Sequence, residues 1–348
     1  MKIWKKIVCM ALALALSLSF FACGGGKSKV TLNVLNWGDY IDPQLLRQFE
    51  DETGIAVKYT TMTSNEEMLV KLASADNIYD VCFPSDYLIE KLVADDLLYP
   101  INKANIPNLS NIDSRFLNLS FDPNNTYSVP YMWGTVGILY NKTMVSDPVD
   151  SWNILWDEKY AGQILMYDSM RDTIGITLKK LGYDINTRNE ADILAAQEAL
   201  IAQKPLVRAY LTDDIKMELI NGSAAMGVVY SGDAVYCISE NPDLAYVVPK
   251  EGSNVWFDNI IIPKTSKHTT EAEQFINFLC DAKVAAQNSD YIGFSTPNAE
   301  ALKLMDPSYA ADPTYNPPQD VLDRCQIFQD LGDFVKVFSD AWTKVKAA

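Results

Sequence analysis

Strand and helix patterns alternate regularly over residues 30–92 of the chain. Three short apolar runs have the composition of strands: 30–35, 55–59 and 79–83. The helix between the first two begins at Asp42 as N-cap, with proline in its first turn, and stops at Gly54. The next helix begins at Ser64, which stands at capping-box spacing from Glu67. This order predicts a parallel sheet covered by helices.

The second half of the chain repeats this alternation without an obvious sequence repeat. Further strand patterns lie at 163–166, 226–230 and 254–262, and an amphipathic helix is predicted at 193–202. The last strand follows the connection Pro249–Gly252 and is expected to rejoin the first sheet. Residues 131–134 are the candidate for the first crossing. A chain that crosses more than once suits two α/β lobes that hinge about a cleft.

Residues 1–22 have the pattern of an export signal. Three lysines precede an uncharged stretch of 16 residues from Ile7 to Ala22, which is short for a membrane-spanning helix. Cys23 and the glycine-rich residues that follow resemble a bacterial lipoprotein signal, with Cys23 lipidated and 23–29 as a flexible tether. Plain secretion with cleavage near Ala22 is the alternative. Either outcome exports the mature protein to a periplasmic or other extracytoplasmic location.

The charge balance excludes several partners. Acidic residues outnumber basic ones 45 to 29, which gives a net charge of −16. A surface so negative repels phosphate backbones and anionic lipids, so we expect no nucleic acid and no membrane contact beyond the lipid anchor. His268 is the only histidine, which excludes metal sites with several histidine ligands. We expect neither a metal nor a cofactor.

The cysteines of the mature chain after Cys23 show no metal or redox spacing. Cys82, Cys237, Cys280 and Cys325 are widely separated and form no CxxC motif. Cys82 and Cys280 stand within apolar runs, so we expect them to be buried thiols. A disulfide is permitted outside the cytoplasm, but the spacing does not decide whether or how the four residues pair.

Aromatic and acidic residues recur together where the predicted strands end. The groups are Trp37 with Asp39 and Tyr40, Ser85 with Asp86 and Tyr87, Tyr230 with Asp233, Trp256 with Asp258, and Asp172 on the loop after 163–166. A single group of this kind more often serves packing or capping. Ligand crevices of open α/β sheets lie beyond the carboxyl ends of the strands. The recurrence at several strand ends therefore indicates one shared binding site.

Carboxylates placed between aromatic faces suit an elongated organic cation. Each ammonium gains a charge-assisted hydrogen bond worth roughly 1.5–3 kcal/mol. Aromatic faces add about 0.5–2 kcal/mol per cation and cover the methylene groups between charges. Ser85, Thr212 and Gln329 are candidates to accept the remaining N–H groups. A sugar site would need more mixed donors, and a phosphate site a glycine-rich loop or arginines.

Catalysis has little support in the sequence. His268 lies in the polar segment 264–270, which is typical of a solvated loop. The pairs Asp95–Asp96 and Asp213–Asp214 are adjacent in sequence, so their side chains diverge rather than converge on one bond. We therefore expect a binding protein and no enzyme.

Longer motifs are similar to those of one protein family. They are NWGDY (36–40), FEDETGI (49–55), YDVCFPSDY (79–87), DPNNTYSVPY (122–131), KLGY (180–183), PKEG (249–252), WFD (256–258) and TPN (296–298). By these motifs the chain resembles the spermidine/putrescine-binding proteins of bacterial polyamine ABC transporters over about residues 30–335. The resemblance implies an α/β, two-lobed periplasmic-binding-protein fold. Each lobe would be a mixed, mainly parallel sheet flanked by helices, with residues 30–132 and 254–302 in lobe 1 and 133–253 and 303–348 in lobe 2.

The resemblance also implies which residues hold the ligand. Aromatic contacts fall on Trp37, Tyr40, Tyr87, Tyr230, Trp256 and Phe294; amine-pairing carboxylates on Asp172 and Asp258, with Asp233 as in putrescine-type members; polar contacts on Ser85, Thr212 and Gln329. Asp86 and Ser169 complete the candidate set. Three positions depart from the spermidine pattern: Ser169 replaces an acidic residue, Tyr230 a tryptophan and Phe294 a tyrosine. Ligand length stays open between spermidine and putrescine.

The expected function is capture of a polyamine in an acidic, aromatic-lined cleft between the lobes. The resemblance implies a monomer that closes on its ligand and delivers it to the membrane permease and ATPase of an ABC importer. Two alternatives stay open at this point: a binding protein of the same fold for a sugar or an amino acid, and an exported enzyme.

Overall fold

The computed structural model describes residues 30–348 of the chain. The predicted signal segment 1–22 and tether 23–29, with the candidate lipidation residue Cys23, lie outside the described residues. Within the described part, no helix combines the length and apolar character that crossing a membrane requires.

Strands and helices alternate through most of this range. The strands are β1 (Thr31–Trp37), β2 (Ala56–Met62), β3 (Val81–Cys82), β4 (Ser128–Asn141), β5 (Ile164–Tyr167), β6 (Val207–Leu211), β7 (Met226–Tyr230), β8 (Leu244–Val247) and β9 (Val255–Ile261). The helices are α1 (Pro43–Thr53), α2 (Asn65–Ala73), α3 (Asp86–Ala94), α4 (Met170–Leu181), α5 (Glu190–Gln203), α6 (Ile215–Ile220), α7 (Ser231–Glu240), α8 (Thr269–Leu279), α9 (Ala282–Ile292), α10 (Ala299–Leu302), α11 (Pro307–Ala311), α12 (Gln319–Leu322) and α13 (Val335–Ala347). The α/β class predicted from the sequence is confirmed.

The residues predicted to start the first two helices form capping hydrogen bonds in the structure. The Asp42 side chain accepts the Gln44 backbone N–H at 2.8 Å, and α1 ends at Gly54, whose φ of 73° suits glycine. Ser64 caps α2 by accepting the backbone N–H of Glu67 at 3.1 Å. The Glu67 carboxylate accepts the N–H of Thr63, one residue earlier than a standard capping box requires. Local hydrogen bonds thus set both helix starts as predicted.

The strands form one mixed sheet in the order β2-β1-β3-β9-β4-β7-β5-β6, with β8 beside β4. β1 is parallel to β2 and β3, and β5 is parallel to β6 and β7. β9 runs antiparallel to both β3 and β4, so the strand predicted at 254–262 does rejoin the first sheet. The predicted strand at 79–83 shrinks to β3, because the Asn33 N–H bonds the Asp80 side chain at 2.9 Å instead of a strand carbonyl.

The long strand β4 joins two halves of this sheet. Its residues 128–135 pair with β9, and its residues 136–141 pair with β7 and β8. We term β2, β1, β3, β9 and the first part of β4 the first half-sheet; the second part of β4 with β7, β8, β5 and β6 is the second half-sheet. At the changeover, a Cβ on Gly134 would lie 2.6 Å from the ring of Trp256 in β9 and 2.6 Å from the hydroxyl of Ser231, which follows β7. Only glycine allows the two half-sheets to pack this closely here.

The C-terminal part of the chain contacts both half-sheets. Helix α13 packs against α4 and α5, beside the second half-sheet. Tyr315 lies beside the first: its hydroxyl shares a 2.6 Å hydrogen bond with Ser289, and its carbonyl accepts the Ser295 hydroxyl. Ser295 is bridged to Trp133 of β4. The segment around Tyr315 therefore packs with residues predicted as lobe 1, although the sequence analysis assigned 303–348 to lobe 2.

The four cysteines that the structure describes are unpaired. Cys82, Cys237 and Cys280 are buried, and Cys325 is half-buried. Burial raises the pKa of the Cys280 thiol to about 12. Cys82 and Cys280 are therefore the buried thiols that their apolar surroundings predict.

Candidate ligand-binding site

The predicted strand-end residues gather where the two half-sheets meet. Tyr40 follows β1, Ser85 follows β3, and Asp258 lies in β9. From the second half-sheet, Tyr230 ends β7, and Asp172 stands in the first turn of α4, which follows β5. Because β7 is antiparallel to β4, the parallel strands of the two half-sheets run in opposite directions, and their carboxyl ends face each other beside the middle of β4. Asp258 reaches this place from within the antiparallel strand β9.

Asp258 is a buried carboxylate that accepts hydrogen bonds from two hydroxyls. The Ser85 hydroxyl donates to Oδ1 at 2.7 Å and the Tyr40 hydroxyl to Oδ2 at 2.7 Å. A β-bridge between Ser85 and Asp258 fixes the first contact. Burial raises the pKa of Asp258 to about 6, although both hydrogen bonds oppose the shift. Both donors are uncharged, so the carboxylate keeps the capacity to attract a cation.

Asp172 occupies a matching position in the second half-sheet. Its Oδ2 accepts the Ser169 hydroxyl at 2.6 Å and the Tyr230 hydroxyl at 2.8 Å. Ser169 is the N-cap of α4, so the helix start itself aims the carboxylate. Burial raises the pKa of Asp172, while the two hydroxyl donors and the nearby Arg171 oppose this. Asp172, like Asp258, is thus bonded mainly to uncharged hydroxyls.

A continuous row of aromatic rings runs between the two carboxylates. The ring centroids lie 5.7 Å apart for Tyr40 and Phe294, 5.3 Å for Phe294 and Trp256, 5.8 Å for Trp256 and Tyr230, and 4.9 Å for Tyr230 and Tyr167. Each contact is edge-to-face, the geometry that aromatic quadrupoles favour. Because Tyr40 bonds Asp258 and Tyr230 bonds Asp172, the row carries an acidic group near each end.

Two features hold the middle of this row in place. Gly232 leaves room for Phe294: a Cβ on Gly232 would lie 1.9 Å from the Phe294 ring. Trp256 is buried, and its indole N–H has no hydrogen-bond partner within the described chain. The row is thus closely packed, and the Trp256 indole N–H is still able to donate a hydrogen bond.

Trp37 and Tyr87 lie beside the site and are half-buried. The Trp37 indole N–H donates to the carbonyl of Phe83 at 2.9 Å. The Tyr87 hydroxyl accepts a hydrogen bond from the Asn65 amide at 2.9 Å. The polar atoms of both rings are therefore engaged by neighbouring residues, and the Arg171 guanidinium lies over the Tyr87 ring.

Asp86 is buried, and its carboxylate accepts hydrogen bonds from backbone N–H groups. One oxygen accepts the N–H of Phe257 at 3.0 Å and the other the N–H of Tyr87 at 2.7 Å. Burial raises the pKa of Asp86 well above its usual range, against the effect of these bonds. The carboxylate ties the start of α3 to β9 next to Asp258.

Three predicted residues do not join the two carboxylate clusters by side-chain hydrogen bonds within residues 30–348. Thr212 is exposed in the turn after β6. Gln329 is also exposed, and it is the carbonyl of Gln329, rather than its side chain, that accepts both Arg171 Nη groups at 3.3 Å. Asp233 forms an ion pair with Lys216, with Nζ and Oδ1 3.3 Å apart.

Arg171 is a cation within the acidic candidate site that was not predicted from the sequence. Its side chain is only 7% exposed, and its guanidinium carbon lies 4.4 Å from the ring centre of Phe328 and 5.4 Å from that of Tyr87. A cation in the first turn of a helix is electrostatically unfavourable. That position in α4 was the available signal that Arg171 has partners elsewhere in the fold.

A cavity of about 350 Å³ lies apart from these residues. Phe116, Trp133 and Tyr315 are among the residues that line it, and it contacts no predicted site residue. The residues of the candidate site are instead packed against one another. Two buried carboxylates near the ends of an aromatic row can pair with an elongated cation that has an amine at each end.

The mixed sheet and the site between its halves define a two-lobed ligand-binding protein of the periplasmic type. Residues 44–317 match the family model of bacterial extracellular solute-binding proteins. The chain is 37% identical over 350 residues to the spermidine/putrescine-binding periplasmic protein of Escherichia coli K12, across 100% of this chain and 99% of that protein.

Solved structures agree with this match. The spermidine/putrescine ABC transporter substrate-binding protein PotD of Streptococcus pneumoniae superposes with a TM-score of 0.82 at 39% identity, over 92% of this chain and 99% of the other. The Tp0655 (TpPotD) lipoprotein of Treponema pallidum gives a TM-score of 0.82 at 27% identity, over 90% of this chain and 99% of the other. The chain belongs to the bacterial extracellular solute-binding proteins and groups there with the spermidine/putrescine-binding periplasmic proteins.

This membership confirms the resemblance seen in the sequence motifs. It also removes the alternative of an exported enzyme, because the family consists of solute-binding proteins of ABC transporters. Proteins of this family act outside the cytoplasm, which agrees with the predicted export.

Proposed function

We propose that this protein binds a polyamine in the cleft between its lobes and delivers it to an ABC importer. The observation that carries the proposal is the placement of Asp258 and Asp172 near opposite ends of the aromatic row. Each carboxylate accepts two hydrogen bonds from hydroxyls and forms no ion pair within residues 30–348. A cation that reaches both replaces weak neutral donors by charge-assisted bonds and relieves the cost of burying the two charges.

The surrounding cations argue against an amino acid as the ligand. An amino acid needs a positive partner for its own carboxylate. Arg171 directs its Nη groups at the Gln329 carbonyl and Asn186, and Lys216 is paired with Asp233. A sugar is disfavoured because the carboxylates would remain without a charge partner in a buried site.

The ligand is a diamine or a triamine, of putrescine to spermidine length. Tyr40, Tyr230, Trp256 and Phe294 offer ring surface to the methylene groups. Trp37 and Tyr87 flank the site, and Ser85 and Ser169 orient the two carboxylates. We assign Asp86 to positioning, since its oxygens are occupied by backbone N–H groups. Thr212 and Gln329 contribute at the exposed rim.

The lobes separate at β4 and at the connection before β9. Lobe 1 contains residues 30–132 and 254–302, and lobe 2 contains residues 133–253 and 303–348. The packing of Tyr315 on Ser289 supports extending lobe 1 to about residue 316. The Asp330 N–H donates to Glu90 at 2.9 Å, a contact between the two proposed lobes. Because each lobe supplies one carboxylate, ligand binding selects the closed state.

Residues 1–22 direct export, and a lipid on Cys23 anchors the monomer to a membrane through the tether 23–29. The relative from Treponema pallidum is itself a lipoprotein. Mass spectrometry of the protein from a membrane fraction tests the anchor. A diacylglyceryl group on Cys23 is expected, and a free N-terminus near residue 23 in the soluble fraction would contradict it.

Calorimetric titration tests the proposed ligand. The protein is stripped by unfolding and refolding and titrated with putrescine, cadaverine, spermidine and spermine. One-to-one binding of at least one amine is expected, and binding is expected to weaken strongly in Asp258→Asn. Folded protein that binds a sugar or an amino acid and none of the four amines would overturn the proposal.

A further inference from the structure

The ion pair between Lys216 and Asp233 lies at the edge of the ligand site. Lys216 belongs to the short helix α6 and Asp233 to the first turn of α7. Their side chains are 28% and 14% exposed, and a second acidic residue, Asp213, lies 3.8 Å from the same ammonium but is 89% exposed. Asp233 is therefore the partner that withdraws the lysine charge from solvent.

Asp233 lies next to residues of the aromatic row in the chain. It follows Tyr230 by three residues, and the neighbouring Gly232 packs on Phe294. Burial and then the charge of Asp233 raise the pKa of Tyr167. Asp233 thus acts electrostatically on the Tyr167 end of the row.

The three carboxylates of the site therefore differ in the charge of their partners. Asp172 and Asp258 have hydroxyl partners, whereas Asp233 already holds an ammonium supplied by the protein. A ligand with two ammonium groups finds two carboxylates without a cation. A ligand with a third has to share or displace Lys216 to gain a third carboxylate partner.

We propose that Lys216 is a specificity-determining residue, which selects against a third ligand ammonium by occupying Asp233. The inference rests on the proposed function, since it concerns which amine the same site prefers. Removing the lysine charge leaves Asp233 buried without a counter-ion, and a buried unpaired charge is strongly unfavourable. An additional ligand ammonium then restores the pair, which a diamine engaged at Asp172 and Asp258 does not do.

Titration of two variants and a control with putrescine and spermidine tests this role. Lys216→Met is expected to raise the ratio of spermidine to putrescine affinity by about tenfold or more, the effect of one charge-assisted bond. If Lys216→Met does not fold, Lys216→Gln takes its place. Lys216→Gln keeps an N–H donor for Asp233 and is also expected to raise the ratio of spermidine to putrescine affinity. Lys159→Met, which breaks the exposed ion pair with Asp147, serves as the control and is expected to leave the ratio unchanged.

The double variant Lys216→Met with Asp233→Asn separates charge pairing from a general change in potential. It is expected to cancel the gain, because no carboxylate remains for the extra ammonium. A ratio that stays at its wild-type value in both lysine variants, while the wild-type protein binds either amine, overturns the role of Lys216 alone. A wild-type protein that binds neither amine overturns the proposed function, and the role of Lys216 with it.

Discussion

The hydroxyl of Tyr40 donates a 2.7 Å hydrogen bond to Oδ2 of Asp258, although 218 positions separate the two residues in the sequence. Tyr40 follows the first strand of the sheet, whereas Asp258 lies in the last. The contact exists because β9 returns to the first half-sheet and runs between β3 and β4. It places a buried carboxylate at one end of the aromatic row.

Replacing Asp258 by asparagine removes the charge and keeps the shape. We expect Asp258→Asn to weaken polyamine binding by about 2 kcal/mol or more, because a charged partner of an ammonium is lost. Calorimetric titration measures the change. Asp96→Asn, at an exposed ion pair with Lys264, is the matched control and is expected to bind normally. Unchanged affinity of Asp258→Asn for every amine would remove Asp258 from the site.

Polyamine affinity is expected to depend on pH through the same carboxylate. Burial raises the pKa of Asp258 to about 6, and an ammonium pairs with the ionised form. As pH falls through 6, Asp258 takes up a proton, and we expect affinity to fall by up to about tenfold per pH unit. Titrations at pH 5, 6, 7 and 8 measure this. Asp258→Asn is expected to flatten the dependence, and a wild-type affinity that is constant from pH 5 to pH 8 would contradict the assignment.

The stability of the ligand-free protein is expected to change with pH in the opposite direction. The folded pKa of Asp258 is about 6, and the unfolded pKa is about 4. Between these values the folded state binds more protons, so the free energy of unfolding falls as pH rises through this window, by about 1–3 kcal/mol. Urea denaturation at pH 4.5 and pH 6.5 tests the sign against Asp258→Asn. If the free energy of unfolding of Asp258→Asn falls equally far when the pH is raised, groups other than Asp258 cause the change.

Removing the Tyr40 hydroxyl is expected to shift the pH dependence without abolishing binding. Tyr40→Phe leaves Oδ2 of Asp258 without its donor, and that hydrogen bond lowers the carboxyl pKa. The pH midpoint of polyamine affinity should therefore move above that of the wild type. Tyr230→Phe, which acts on Asp172, serves as a comparison. A midpoint that stays in place or moves down in Tyr40→Phe would show that this bond does not control Asp258.

Adding a methyl group at Gly232 is expected to disturb the aromatic row. The new Cβ would lie 1.9 Å from the Phe294 ring, so the ring has to move. We expect Gly232→Ala to lose about 1–3 kcal/mol of stability and to weaken polyamine binding. Thermal denaturation and titration measure the two effects. Gly38→Ala, where no atom lies within 4 Å of the new Cβ, is the control for stability; an equal loss in both variants would argue against the packing explanation.

Much of the site could be predicted because its residues stand at strand ends. Ligand crevices lie beyond the carboxyl ends of parallel strands, and recognisable strands of this kind are ended or followed by Trp37, Tyr40, Ser85 and Tyr230, whereas Asp258 lies inside β9. The hydrogen bonds between them could not be predicted. Those bonds depend on the sheet order, in which β9 and β4 run antiparallel among otherwise parallel strands.

The partners of the charged residues in the site also could not be predicted from the sequence. Asp233 was predicted as a ligand partner, and nothing in its neighbourhood along the chain indicates the ion pair with Lys216, which depends on how α6 packs on α7. Arg171 was overlooked for the same reason, because the rings of Tyr87 and Phe328 reach it from distant segments.

The sequence by itself determined the α/β alternation, the starts of α1 and α2, and the family. These features rest on contacts between residues a few positions apart, so adjacency in the chain encodes them. Only the tertiary structure decided that β4 serves both half-sheets, that Tyr315 packs on Ser289, and that two of the carboxylates keep uncharged partners while Asp233 has a lysine. Those outcomes depend on strand order and helix packing, which bring together groups that no local pattern relates.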